Sequence, residues 1–195
     1  FGENNRIALI CHKSRASISN DKIISPNHNT VLFYAKNIEV LEAKRKMIGL
    51  DPVLDKFDND DNDGRGAYRL VPVDGPGGAK NYKSTAEQTR RTTTTWWDDA
   101  GLTSSATTKL KSLMGETTFD TPKPLELIDR MLRMITFDDK DAIVMNFFAS
   151  SSTTAHAVME YNLETGGRRK FILVQIPDLI TEKMEAYENG YRNIC

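Results

Sequence analysis

Two short and almost wholly apolar runs, residues 141–148 (DAIVMNFF) and 170–175 (KFILVQ), constrain the fold more than any other feature of the chain. Each has strand length and lacks the alternation of a strand with one wet face. Residues 153–162 (TTAHAVMEYN) lie between them with helical character, and Gly166-Gly167 supplies a turn before the second run. Strand, helix and strand in this order pair in parallel, because the helix returns the chain across one face of the sheet. Two further helices flank the unit. In the first, Thr121 is a suitable N-cap, Pro122 suits the first helical position, and Leu125, Ile128, Leu132 and Ile135 form one apolar face. In the second, residues 178–188, Ile180, Met184 and Tyr187 share a face. The second half therefore reads α-β-α-β-α, an α/β core with both sheet faces covered.

The first half is more mixed. Residues 6–13 (RIALICHK) and 30–36 (TVLFYAK) have strand composition, and the turn signals Asn20-Asp21 and Ser25-Pro26-Asn27 lie between them. Residues 39–50 show helical spacing and stop at Gly49. From 51 to 95 the character changes: six aspartates fall between Asp51 and Asp63, Gly and Pro crowd 64–78, and Thr92 to Thr95 is all threonine. This stretch reads as an irregular insertion on a regular scaffold. A helix at 103–114 follows, with Thr103 as N-cap and Gly115 as its stop.

Bulk properties exclude several classes. At net charge −1 no overall basic field advertises nucleic acid or an anionic membrane, although a local basic groove remains compatible. No run approaches a membrane span and no signal peptide is visible. Cys11 and Cys195 lack metal-ligand spacing and read as reduced thiols of a cytoplasmic protein. A calcium loop fails at residues 59–64, since Gly64 in the sixth position puts Leu70 where a bidentate glutamate belongs. The run Gly75-Pro76-Gly77-Gly78-Ala79-Lys80 lacks the spacing of a phosphate loop, and His12, His28 and His156 fit no metal or triad pattern.

Two stretches carry candidate chemistry. Lys80, Lys83, Arg90 and Arg91, followed by Trp96-Trp97, combine cations with aromatics and could contact DNA phosphates and stack on bases. The same composition suits a surface loop with two core anchors. Residues 146–154 (NFFASSSTT) place a turn of small hydroxyl residues between a strand and a helix, so that backbone N–H groups at the helix start can face an anionic or hydroxyl-rich cofactor. Gln175 ends the next strand, where a polar side chain would meet a ribose hydroxyl. A plain α/β core would share these features. A nicotinamide-linked oxidoreductase would need a G-x-G-x-x-G loop, which is absent.

The order of segments decides between them. Residues 119–127 (FDTPKPLEL), 143–159 (IVMNFFASSSTTAHAVM) and 166–177 (GGRRKFILVQIP) resemble the C-terminal part of type III restriction-modification methylation subunits. These are adenine-specific DNA methyltransferases whose methyl-donor motifs follow the catalytic motif. Residues 14–36 resemble the hairpin region of the same family, and residues 65–81 (RGAYRLVPVDGPGGAKN) the start of its target-recognition insertion. The resemblance implies a Rossmann-like, mainly parallel sheet with an antiparallel hairpin. It implies S-adenosylmethionine as methyl donor, flipping of an adenine out of duplex DNA, and a restriction subunit of the same system as partner; a homodimer is compatible with it. It also divides the chain into the first part of the core (1–50), a shortened recognition insertion (51–100) and the donor-binding part (101–195). Phe119, Asp120, Thr121, Pro122 and Lys123 then match the family's tenth motif around the methionine end of the donor. Asn146, Phe147, Phe148, Ala149, Ser150, Ser152, Thr153 and Thr154 match its first motif beneath the donor, and Gln175 is a ribose or adenine contact.

Three departures accompany the match. The first motif normally reads D-F-F-A-G-S-G-T-T, whereas here Asn146 replaces the aspartate and Ser150 and Ser152 replace both glycines. Glycine permits positive φ and close approach of backbone to ligand, so weakened donor binding is expected, along with loss of a charged acceptor that could orient the loop. No Pro-Pro dipeptide occurs, so the D-P-P-Y motif that activates the adenine is not in this chain and is expected upstream of Phe1. The recognition insertion is short. The competing expectation is a degenerate, non-catalytic relative serving in DNA binding or subunit assembly.

Overall fold

The computed structural model describes residues 2–18, 20, 23–73, 78–115, 119, 121–182 and 184–193. Asp120, Cys195 and the Gly75 to Gly77 part of the glycine-rich run lie outside them. After a short 3-10 turn, β1 (Arg6–Lys13) pairs antiparallel with β2 (His28–Tyr34), in the hairpin that the sequence led us to expect. Helix α1 (Ile38–Ala43) is capped by Asn37, whose side chain accepts from the amides of Glu39 and Val40 at 2.9 and 3.2 Å. It is half as long as expected, because Lys44 leaves helical geometry and the chain tightens into a 3-10 turn at Arg45–Met47.

The irregular stretch begins and ends at one point. Leu50 and Arg91 exchange backbone hydrogen bonds of 2.9 and 2.8 Å, so the chain between them is a closed excursion. Gly49 is required at that crossing: its φ is +138°, and a Cβ would lie 2.4 Å from the Arg91 carbonyl oxygen. The excursion contains the hairpin β3 (Tyr68–Pro72) and β4 (Gly78–Tyr82), then helix α2 (Lys83–Glu87). Its acidic segment folds onto this hairpin, with Asp61 accepting from the Tyr68 hydroxyl at 2.8 Å and pairing with Lys80. Asp63 accepts from the backbone amide and the guanidinium of Arg65, chiefly the latter, which lowers its pKa from 3.8 to about 2. A depressed carboxylate contributes stability that is present above the ordinary value and is lost as pH falls through the folded one. The Asp63 carboxyl should therefore titrate near pH 2 in a carbon-detected NMR experiment; a midpoint near 3.8 would show that the Arg65 contact does not persist in solution.

Strand β5 (Trp96–Trp97) returns beside β1 in parallel, giving the sheet order β2-β1-β5. Helix α3 (Thr103–Met114) ends on Gly115 at φ +81°, the expected left-handed stop, but Leu102 rather than Thr103 precedes it as N-cap. The amide of Thr103 is instead bonded to the Ser14 carbonyl at 3.0 Å. Helix α4 (Leu125–Ile135) starts three residues later than the Thr121-Pro122 reading implied. Pro124 is the cause, since its ring disfavours helical geometry at Lys123 and it stands as N-cap with φ −60° and ψ 136°.

Strands β6 (Ile143–Asn146) and β7 (Lys170–Leu173), joined through α5 (Thr153–Thr165), pair in parallel in register Ile143 to Lys170 through Asn146 to Leu173. The expected strand-helix-strand unit is thus present, but the expectation of two covered faces is not met: Ile143, Met145, Phe171 and Ile172 are exposed, so the apolar runs do not mark strands buried on both sides here. Among the described residues the strands form a mixed α/β arrangement of separate small sheets, β2-β1-β5 and β6-β7 with the β3-β4 hairpin of the insertion beside them, and not one continuous Rossmann-like sheet. Helix α6 (Glu185–Glu188) occupies a fraction of the helix expected at 178–188. Helix α4 joins the pieces by burying two stripes. Leu127 and Met134 pack with Ile10, Trp97 and Ala100, while Leu132 packs with Ala157, Val158 and Tyr161, flanked by Leu125 and Ile128. The periodicity identified the second stripe; Ile135, assigned to it, is exposed. Among the described residues no helix is long and apolar enough to cross a membrane.

Candidate functional site

The turn between β6 and α5 is built by its backbone first. Ser150 and Ser152 both adopt left-handed geometry, at φ 54° and 58°. These are the two positions where the resembled motif has glycine, so the chain keeps the glycine conformation while carrying side chains. A left-handed L-residue costs about 1–2 kcal/mol, so the turn stores strain at two sites two residues apart.

Hydrogen bonds hold it there. The Phe148 amide donates to Asn146 Oδ1 at 2.9 Å, the Ala149 amide to the Val174 carbonyl at 3.0 Å, the Ser150 amide to Gln175 Oε1 at 2.8 Å and the Ser152 amide to the Ala149 carbonyl at 2.8 Å. Asn146 also donates through Nδ2 to the hydroxyl of buried Thr154 at 2.8 Å. The orienting role whose loss the sequence suggested is therefore kept: an amide accepts from Phe148 as a carboxylate would, and donates to Thr154 as a carboxylate could not. What is gone is the negative charge. Helix α5 begins without a side-chain cap, because Ser152 in left-handed geometry does not place its hydroxyl on the first-turn amides.

The two matched stretches meet here. The Thr153 hydroxyl donates to the Lys123 carbonyl at 3.3 Å, which brings the segment before α4 onto the start of α5. Ser151, which sequence comparison did not single out, joins them by a 2.9 Å contact between its hydroxyl and that of Thr153. Its spacing of two from Thr153 in a hydroxyl-rich turn was the available signal. Pro122 and Pro124 are buried and Thr121 and Lys123 exposed, so the prolines anchor this segment while the polar residues face outward. Phe119 is half-buried, and Phe147 and Phe148 are exposed beside the turn. Gln175, expected to face a ribose, turns its carbonyl oxygen to Ser150 and donates to the Ile176 carbonyl at 3.0 Å.

The four candidate DNA-contacting cations separate. Lys83 and Arg91 are exposed, and Lys80 pairs with Asp61 while lying 4.6 Å over the Tyr68 ring. Arg90 is no phosphate contact. Its side chain is 1% exposed, and it bonds Asp51 at 2.5 Å and the carbonyls of Gly49 and Arg133 at 2.8 Å each, under the Phe137 ring. A guanidinium was needed because it alone reaches a carboxylate and two carbonyls in fixed fork geometry. Replacing Arg90 by alanine strands both carbonyls and should cost about 2–3 kcal/mol in denaturant unfolding, against at most about 0.5 for exposed Arg91→Ala. Equal effects of the two substitutions would remove Arg90 from this structural role. The tryptophans separate in the same way, Trp97 at 1% exposure and Trp96 at 57%.

His12 is fully buried and contacts the Gly101 carbonyl at 2.9 Å through Nε2, a structural position. Among the described residues no three His, Cys, Asp or Glu side chains converge in a way that could hold a metal ion.

A family model described as DNA methylase matches residues 2–184. The chain is 37% identical to the EcoPI Mod subunit of a type III restriction-modification enzyme from Escherichia phage P1, over 65% of this chain and 20% of that protein. It is 43% identical to the type III StyLTI Mod subunit of Salmonella typhimurium, over 44% of this chain and 13% of that protein. With the type II methyltransferase M.KpnI of Klebsiella pneumoniae it shares 37% identity over 59% of this chain and 27% of that protein. The match to each relative thus spans about a quarter of that protein's length or less. The resemblance to type III methylation subunits drawn from residues 119–127, 143–159 and 166–177 is matched by these relatives, and with a family model covering nearly all of its length the chain belongs to the DNA methylase family.

Proposed function

We propose that this chain forms the methyl-donor-binding part of an adenine-specific DNA methyltransferase of a restriction-modification system, with S-adenosylmethionine as donor. The observation that carries the reading is the left-handed geometry of Ser150 and Ser152, at the two places where the motif has glycine. Left-handed geometry at non-glycine residues also occurs at Lys56 and Asn62, but only here does it fall on two positions two apart that match the motif's glycines, in a turn between strand and helix where such strain clusters at ligand sites. The uncapped start of α5 lies next to it, where backbone amides favour anionic or polar ligand groups. The turn's backbone keeps the conformation that the motif's glycines would take, which is what donor binding requires of it, and each serine adds a side chain at that place.

When bound, the donor supplies an electrophilic methyl group on a sulfonium sulfur, open to displacement by the adenine amino nitrogen. This chain's residues bind and orient. Asn146 and Gln175 fix the turn and Thr153 links it to Lys123. In this reading Phe119, Thr121 and Lys123 would border the methionine end, and Asp120, assigned with them from the sequence, lies outside the described residues. These residues serve the donor side only, and the D-P-P-Y function is assigned in this reading to residues other than these. Double-stranded DNA is the substrate in this reading, approached by exposed Lys83, Arg91 and Trp96 of the 51–100 insertion, and a restriction subunit is the partner. The segments 1–50 and 101–195 act as the methyltransferase core.

Calorimetric titration with S-adenosylmethionine tests the proposal. Saturable binding weaker than micromolar is expected, with Phe147, Ser151 and Lys123 resonances shifting in parallel NMR spectra. Micromolar affinity would refute the weakening attributed to the serines, and no binding at millimolar donor would refute the donor site itself.

A further inference from the structure

We infer that Gln175 is a positioning residue for the donor turn: its carboxamide clamps the Ser150 amide and thereby keeps Ser150 in left-handed geometry, a role distinct from touching the donor. The inference rests on the donor reading for its consequence and on hydrogen-bond geometry for its cause. Gln175 lies just beyond the end of β7, directly across from the turn that follows the parallel partner strand β6. Two consecutive turn amides are taken up by this side of the site. The Val174 carbonyl accepts from Ala149 at 3.0 Å and Gln175 Oε1 accepts from Ser150 at 2.8 Å. The first bond ties the turn to the chain just past β7, out of register with the β6–β7 ladder, and the second adds a side-chain acceptor where the backbone has turned away.

The carboxamide is itself oriented. Its Nε2 donates to the Ile176 carbonyl at 3.0 Å, which directs Oε1 toward Ser150. The clamp closes on the residue that needs it. Glycine at 150 would enter left-handed geometry without help, whereas serine resists it. The turn's other side chain of this kind, Asn146, holds Phe148 at the start of the same turn. Amide side chains at 146 and 175 thus hold the amides of Phe148 and Ser150, the second being one of the turn's two left-handed serines.

Amide hydrogen exchange and donor titration on the full chain separate this role from direct contact. Gln175→Ala should speed exchange of the Ser150 amide about tenfold or more, since that amide loses its acceptor. Gln175→Glu keeps an acceptor oxygen but loses the donation to the Ile176 carbonyl, so it should show exchange slower than the alanine variant and faster than the starting protein, and it also serves if the alanine variant folds poorly. Calorimetry with S-adenosylmethionine should show Gln175→Ala weakening binding about 5- to 10-fold with Ser150 in place, but less than about 2-fold in a Ser150→Gly background. Unchanged Ser150 exchange in Gln175→Ala overturns the clamp. So does an equal loss of affinity in both backgrounds, which would mean that Gln175 touches the donor itself. Fast exchange in Gln175→Ala together with no donor binding by any variant would uphold the clamp and remove the donor reading.

Discussion

Trp97→Ala is expected to unfold much of the protein, and Trp96→Ala to leave it standing. Trp97 is 1% exposed and packs with Ile10, Ala100, Leu127 and Met134, so it touches β1 and the first buried stripe of α4 together. Its indole N–H donates to the Thr94 carbonyl at 2.8 Å and meets the Thr93 hydroxyl at 3.2 Å, and the Arg130 guanidinium lies 5.4 Å from its ring. Truncation to alanine removes this area, leaves a cavity and frees an acceptor, at about 3–5 kcal/mol. That is a large share of the roughly 5–15 kcal/mol that stabilises an ordinary domain. Trp96, 57% exposed one residue away, should cost less than about 0.5 kcal/mol by the same urea titration. Its loss should instead weaken retention on duplex DNA if the 51–100 insertion faces DNA as proposed. Similar destabilisation by the two substitutions would contradict the packing described for β5.

Restoring glycine at both strained positions should have the largest functional effect. Ser150→Gly with Ser152→Gly removes two left-handed serines, each disfavoured by about 1–2 kcal/mol, and two Cβ atoms beside the proposed donor cradle. Glycine enters left-handed geometry freely, so the double variant should hold the binding-competent turn at lower cost and with no side chains at the two positions. The double variant should bind S-adenosylmethionine about 10- to 100-fold more tightly. Stability should move far less, because two added glycines also loosen the unfolded chain by about 0.5–1 kcal/mol each, which offsets the relieved strain. Tighter binding with a nearly unchanged melting temperature is the signature. Unchanged affinity in calorimetry would show that the serines are neutral at this site and that the departure from the motif has no consequence there.

The two halves of the candidate site were legible to different degrees. Residues 146–154 could be placed on a strand, a turn and a helix because periodicity and small residues mark such units locally, and β6, α5 and β7 form there. The segment at 119–124 is assigned to the site by its string of residues alone, and its link to the turn through Lys123 and Thr153 required the fold. Arg90 was misread because cationic composition does not reveal burial. Three acceptors from distant parts of the chain, Asp51, Gly49 and Arg133, draw it inward.

By itself the sequence determined the parallel strand-helix-strand unit, the β1–β2 hairpin, the left-handed stop at Gly115 and the kinship with type III methylation subunits. All of these rest on neighbouring residues or on their order. The tertiary structure alone decided which tryptophan is buried, which face of α4 meets which core, and what Asn146 and Gln175 do with their amides. Those outcomes depend on groups brought together from far apart in the chain, and no local pattern records which distant partner a side chain will meet. The serines at 150 and 152 stand between the two cases. Their departure from glycine was visible in the sequence, and that the backbone nevertheless keeps glycine's conformation is a property of the fold around them.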